Sequence, residues 1–285
     1  MDSITSPEDD PALAVLIPAN NEAALIGDCL AAVAASRWSG GPVEVIVIPN
    51  GCTDNTAEIA RAQAKAFSNR GWDLIVIERA EGGKLAALNA GDTAVRAGIR
   101  VYLDADVIVG QELLAQLHEV LNCDQPRYAS GKVRMTAQSW VSRAYARIYC
   151  QVPFMAQGVP GCGVFAVNAT GRARWGAFPQ IISDDTYVRL QFTPEERIGV
   201  PAEYRWPVVE GLRNLIKVRR RQDIGVTEVA TRFPELQKNE GKPALSTAEK
   251  LRMAAKDPVG FTIYTSVSLL GKLTRRQSAG WDRGR

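Results

Sequence analysis

The feature that most limits the possible folds is an alternation in the first half of the chain. Before residue 122, four apolar runs of strand character (13–17, 43–48, 74–77 and 101–109) alternate with four stretches of helical composition (23–35, 57–67, 84–97 and 111–121). Repeated strand and helix, with helices of about 10–15 residues, marks an α/β fold with a mostly parallel central sheet and flanking crossover helices. In such sheets ligands bind beyond the carboxyl ends of the strands. Asn20, Asn50, Lys84, Asp104 and Asp106 all follow strand ends, so the polar chemistry of this half converges on one edge.

The run 101–109 is the most informative. Val101, Tyr102, Leu103, Val107, Ile108 and Val109 favour a buried strand. Asp104 and Asp106 do not, because an ionised carboxylate is costly to bury without a partner. Two readings stand side by side. In one, the acids sit at a strand-to-helix turn and one caps the helix that begins near Gln111. In the other, two carboxylates at i and i+2 converge on a hard divalent cation, Mg²⁺ or Mn²⁺, and a diphosphate.

The other turns carry similar pairs of readings. Pro18 stops the first strand, and Asn21 and Glu22 either cap the next helix or meet a ligand. Asn50-Gly51 is a turn signal, with Thr53 or Asp54 as the helix N-cap. Gly82 and Gly83 permit close backbone approach, and Lys84 at the helix start is either a phosphate contact or a surface lysine. The phosphate-loop spacing G-x-x-x-x-G-K-[ST] is absent. His118 is the only histidine, so a His-based metal centre or triad has no second member.

The second half is less regular. A strand is expected over 128–135, a helix over 140–150, a Gly-rich loop over 158–163 and a strand over 164–167. Asp184 and Asp185 precede a helix at 186–191. They either cap it or supply a catalytic base for an acceptor hydroxyl.

Bulk properties exclude several classes. With 285 residues, 46% hydrophobic and 23% charged, the chain is an ordinary globular protein, and no apolar run reaches membrane-spanning length. Five cysteines without a C-x-x-C pair read as reduced thiols with no structural zinc. The start of the chain is acidic, unlike a signal peptide, so a cytoplasmic location is expected. From Arg213 onward there are 16 basic and 7 acidic residues, a net of +9, against −6 for the rest. The acidic body argues against nucleic-acid binding. Arg213, Lys217, Arg219, Arg220 and Arg221 read as a diphosphate clamp or as contacts to an anionic membrane surface. The apolar pieces 251–253 and 261–270, flanked by lysine and arginine, read equally as an interfacial amphipathic segment or as a packing helix. Residues 1–11 are expected to be loose and 277–285 to be a solvated end.

Five motifs, in order, resemble the family-2 glycosyltransferases of the GT-A fold: P-x-x-N-E (Pro18, Asn21, Glu22), N-G-x-T-D-x-T (50–56), G-K-x-x-A-L-N-x-G (83–91), D-x-D (Asp104, Asp106) and the acidic pair Asp184, Asp185. The resemblance covers about 13–221. It implies a catalytic domain over 12–212, followed by the basic, partly helical extension over 213–285, for which membrane association is one of the two readings given above. It implies inverting transfer of a sugar from a UDP- or GDP-type nucleotide-diphosphate donor, metal-assisted, in envelope polysaccharide or glycolipid synthesis. Ala19, Asn21, Glu22 and Asn50 would line the nucleoside pocket, with Lys84 and Asp104 near the nucleotide. Asp106 would hold Mn²⁺ or Mg²⁺ on the diphosphate. Asp185 would be the general base beside Asp184, which stands where the family more often has Glu. Arg219 and Arg221 would approach the diphosphate.

Two departures matter. The Gln-x-x-Arg-Trp signature of processive synthases is absent, so transfer of one sugar is expected. Pro49-Asn50 replaces the family's usual Asp-Asp before Gly51, and an amide donates as well as accepts, which alters any base contact. The basic end makes a lipid-linked acceptor and a peripheral place on the cytoplasmic membrane face the leading expectation. Two rivals remain: a nucleotidyltransferase, which would need a Gly-rich phosphate loop after the first strand, and a non-catalytic nucleotide-sugar-binding or membrane-scaffold protein.

Overall fold

A computed structural model describes residues 10–242 and 244–274. The expectations for residues 1–9 and for 275–285 lie outside the described residues. The chain divides into two compact units. Among the described residues, one comprises 10–132, 161–180 and 195–205, the other 133–160, 181–194, 206–242 and 244–274.

The first unit is built on a sheet. Its strands are β1 (Leu13–Ala19), β2 (Val43–Pro49), β3 (Asp73–Val76), β4 (Arg100–Leu103), β5 (Ile108–Val109), β6 (Tyr128–Thr136), β7 (Val164–Val167) and β8 (Arg197–Pro207), in spatial order β3-β2-β1-β4-β7-β6-β8-β5. β3, β2, β1 and β4 run parallel, as the alternation predicts. Beyond β4 the sheet is mixed: β7 is antiparallel to β4 and β6, and β5 is antiparallel to β8. β1 and β2 are buried along their whole length, which is why they read as unbroken apolar runs.

Three details differ from expectation. β1 continues through Pro18 to Ala19. Ala14 N donates to Ile99 O ahead of β4, while Ala19 O accepts from Asn50 N on the β2 side. By alternation, Pro18's missing N–H falls on the β4 side, where pairing has already ended at Leu16. The run 101–109 is two strands, β4 and β5, set far apart in the sheet order by the turn at Asp104–Asp106. The helix expected over 57–67 is divided at Gln63 into Thr56–Ala62 and Ala64–Ser68.

Glu44 is a fully buried acid near the start of β2. Its carboxylate accepts from Arg96 N (2.8 Å) and Ala97 N (2.9 Å) and faces Arg96 Nε at 3.4 Å. It thereby caps the chain between the helix Lys84–Ala94 and β4. Glu44→Ala leaves two backbone donors unsatisfied, and urea unfolding is expected to show a loss of on the order of 3 kcal/mol.

The second unit is mainly helical: Trp140–Tyr149, Pro153–Ala156, Asp184–Arg189, Leu212–Arg232, Thr247–Lys256 and Pro258–Leu273. Tyr145, Leu215 and Val267 form a buried cluster, with Val141, Tyr149, Ile216, Ile263 and Tyr264 packed against it. The basic C-terminal part therefore contributes core residues. Arg147 of the first of these helices also holds Asp257 at 2.9 Å. Among the described residues no helix is long and apolar enough to cross a membrane. All five cysteines are free.

Candidate active site

The turns after β1 and β2 are hydrogen-bonded to each other. Asn21 Oδ1 accepts from Thr53 N (2.7 Å) and Thr53 Oγ1 (3.2 Å), and Glu22 N donates to Thr56 Oγ1 (2.9 Å). Desolvation works against the Asp54 charge, but the bonds it accepts from Thr56 Oγ1 (2.5 Å), Thr56 N (3.1 Å) and Ala23 N (3.2 Å) outweigh it and hold its pKa below the usual carboxylate value. Asn21 has φ 55°, a left-handed conformation that asparagine tolerates better than most residues. The polar residues of both motifs thus fix one another.

Asn50 completes this arrangement from below. It is 2% exposed. Its Nδ2 donates to Ala19 O (2.9 Å) and Ile48 O (3.1 Å), and its Oδ1 accepts from Gly83 N (2.9 Å). Both ends of the Asn50 amide are thus engaged within the protein, and Ala19 is buried beside it at 1% exposure. A carboxylate could not donate to the two carbonyls. Gly51, at φ +55°, lies against the next loop so closely that a Cβ would fall 2.6 Å from Gly82 N. The loops after β1, β2 and β3 consequently form one braced rim.

Lys84 opens the helix Lys84–Ala94 on this rim, and its Nζ lies 2.8 Å from Asp104 Oδ1. Both side chains are about one-third exposed, at 35% and 33%. Asp104 N donates to Gly163 O (2.8 Å), and Val107 N to Asp104 O (3.1 Å), so the D-x-D segment is a tight turn carrying Asp106. The helix after it begins at Leu113 with no side-chain cap, which removes the reading of Asp104 or Asp106 as its cap. The Gly-rich loop supports the turn: Gly161 has φ +68°, and a Cβ there would lie 1.8 Å from Tyr128 Oη. Cys29, buried beneath, has its thiol pKa pushed well up by burial and then by Asp104 and Glu22, so it is a neutral thiol.

Among the described residues no three His, Cys, Asp or Glu side chains gather as a metal cluster. The turn offers two carboxylates, Asp104 and Asp106. That donor set suits a Mg²⁺ or Mn²⁺ ion completed by substrate phosphate and water, and does not suit an ion held by protein alone.

In the second unit Asp184 and Asp185 lie in the first turn of the helix Asp184–Arg189, two residues earlier than expected. Asp184 is 6% exposed. Asp185 is half-buried, and its Oδ1 accepts from Thr186 N at 2.7 Å. This short helix is held at both ends by residues that sequence reasoning did not single out. Ile182 N donates to Glu228 Oε2 (2.8 Å), and Gly225 approaches Ser183 so closely that a Cβ would lie 2.2 Å from its Oγ. Buried Arg189 pairs with Glu240 (2.8 Å) and sits 5.1 Å from the Phe154 ring. Tyr187 packs on Phe233 at 4.9 Å. Arg219 and Arg221 lie on the helix Leu212–Arg232. Arg219 Nε meets Asp223 Oδ1 at 3.1 Å, one turn away. Burial opposes its charge, but Asp223 and Tyr145, Tyr149 and Tyr264 outweigh that and raise its pKa.

A sheet of order 3-2-1-4 with a braced polar rim and a D-x-D turn defines an α/β protein of the GT-A type. The chain matches the model of Glycosyl transferase family 2 over residues 14–171, more than half its length, and belongs to that family. It is 38% identical over 104 residues to Glycosyltransferase AglE of Haloferax volcanii, covering 36% of this chain and 33% of the relative. It is 28% identical over 138 residues to undecaprenyl-phosphate 4-deoxy-4-formamido-L-arabinose transferase of Edwardsiella ictaluri, covering 48% and 41%. The matches thus span less than half the length of these relatives. The mannosyltransferase PcManGT from Pyrobaculum calidifontis, solved with GDP-Man and Mn²⁺, superposes with a TM-score of 0.64 over 98% of this chain and 91% of that one at 17% identity. That likeness is one of fold.

Proposed function

We propose that the chain is a glycosyltransferase that moves a single sugar from a nucleotide-diphosphate donor to an acceptor hydroxyl with inversion, in envelope polysaccharide or glycolipid synthesis. The observation that carries this reading is the Lys84–Asp104 ion pair on the D-x-D turn at the carboxyl end of β4, in a chain of this family. Asp106 would hold Mn²⁺ or Mg²⁺ on the diphosphate of a UDP- or GDP-type donor. When bound, such an ion draws charge from the departing diphosphate. Glu22, Lys84 and Asp104 contact the nucleotide, while Ala19, Asn21 and Asn50 shape the rim behind it.

Asp185 takes the proton of the acceptor hydroxyl as its oxygen bonds to the anomeric carbon and the diphosphate leaves from the opposite face. Asp184, buried in the same first turn, is the second acid of the pair. Arg219 and Arg221 approach the diphosphate, Arg219 while paired with Asp223. On this reading residues 12–212 are the catalytic domain. Residues 213–285 are an extension that also braces the base, through Gly225, Glu228 and Glu240. The relative acting on undecaprenyl phosphate supports a lipid-linked acceptor and a peripheral place at the cytoplasmic membrane face.

A thermal-shift screen of nucleotide-diphosphate sugars with and without Mn²⁺ tests the donor assignment. At about 100 times Kd a true donor adds about 2.7 kcal/mol of stability, a rise of roughly 5 °C or more for a domain of this size. If no nucleotide sugar shifts the melting temperature in the presence of Mn²⁺, the transferase reading fails.

A further inference from the structure

The last helix, Pro258–Leu273, is apolar on two sides. Gly260, Val267 and Gly271 face the core of the second unit. At 100° per residue, Val259, Thr262, Ser266, Leu269, Leu270 and Leu273 fall on a separate continuous stripe. There Val259 is 57% exposed, Leu269 58%, Leu270 38% and Leu273 68%, and on the preceding helix Leu251 is 67% exposed. Isolated exposed leucines need no explanation, but a stripe of them on one helix marks a surface that something covers.

The charges nearby select the cover. Lys250, Arg252, Lys256 and Lys272 are exposed on the same two helices. The two acids of this segment are engaged elsewhere. Glu249 closes the capping box with Ser246, and Asp257 accepts from Gly260 N (2.9 Å) and holds Arg147. The segment 247–273 thus presents leucines among cations with both acids tied back. Apolar side chains flanked by lysine and arginine match a bilayer surface of anionic headgroups.

We propose that this face docks on an anionic bilayer, with the exposed leucines inserted at the headgroup boundary. This rests on and deepens the peripheral placement above and, of the two basic stretches that could carry it, assigns it to the last two helices. Removing residues from 244 onward would be a poor test, because Val267 belongs to the core. Point variants serve better.

The full chain is sedimented with vesicles of phosphatidylcholine alone and of phosphatidylcholine with phosphatidylglycerol, at low and high salt, with no donor or acceptor present. Binding is expected only with phosphatidylglycerol and is weakened by salt. The triple variant Leu269→Ser, Leu270→Ser, Leu273→Ser is expected to lower partitioning roughly tenfold or more with its melting curve intact. The variant Lys250→Glu, Arg252→Glu, Lys256→Glu is expected to remove the lipid-charge preference. No binding to either vesicle, or wild-type binding by the leucine variant, overturns the proposal. A dimer in light scattering that the leucine variant converts to monomer, without vesicle binding, assigns the face to a second copy and overturns it too. Partitioning is read without catalysis, so this inference and the transferase reading fail separately.

Discussion

Asp185→Asn is expected to reduce turnover by about 10²–10⁴-fold, the range a general base contributes, while donor affinity stays at the wild-type value. The substitution is nearly isosteric. Asp185 Oδ1 accepts from Thr186 N at 2.7 Å, and an asparagine oxygen can keep that bond. The short helix is further held by Glu228, Arg189 and Glu240, so the variant should remain folded. What is lost is the group that takes the acceptor's proton. Single-turnover rates separate this loss from binding, and calorimetric titration of the donor gives the affinity independently. A variant that turns over at the wild-type rate removes the base assignment, whatever the donor proves to be.

The placement of that helix also shows what sequence can and cannot reveal. β1, β2 and β4 were legible because strands buried on both faces read as continuous apolar runs, while β3, only half-buried, still showed as a short apolar run. β8 was missed. Its burial alternates through Val200, Ala202 and Tyr204, a period-two pattern, but Pro201 interrupts the run and weakens the strand signal. β5 was hidden because it is continuous in sequence with β4; only the turn at Asp104 separates them. The motif residues were easy to find, but their partners were not. Asn21 with Thr53, and Asn50 with Gly83, are pairings more than 30 positions apart, so a polar residue that braces a loop looks the same in sequence as one that meets a ligand. The basic run was likewise read by charge alone. Asp223, four residues after Arg219, was the visible sign that one of its arginines is paired within its own helix.

The same distinction between bracing and binding sets the expectation for the D-x-D turn. Asp104 already faces Lys84 at 2.8 Å, and with both side chains one-third exposed that pair contributes little to stability. Asp106 is the other carboxylate that the turn brings to this rim, and the sparse donor set suits an ion completed by the diphosphate. Asp106→Asn is therefore expected to weaken Mn²⁺-dependent donor binding by about 100-fold or more, since even loss of a residue behind a metal ligand typically costs 10–100-fold. Donor binding without Mn²⁺ should change little. Calorimetric titration of the nucleotide sugar into wild type and variant, each with Mn²⁺ and with chelator, reads both quantities without requiring turnover. Asp104→Asn should behave differently. It releases Lys84 and so alters binding in chelator as well, because the lysine would then meet the phosphates without its acidic neighbour. If Asp106→Asn keeps its full Mn²⁺ dependence, the ion is not held at this turn. The two acids would then be, like Asn50, part of the bracing of the rim.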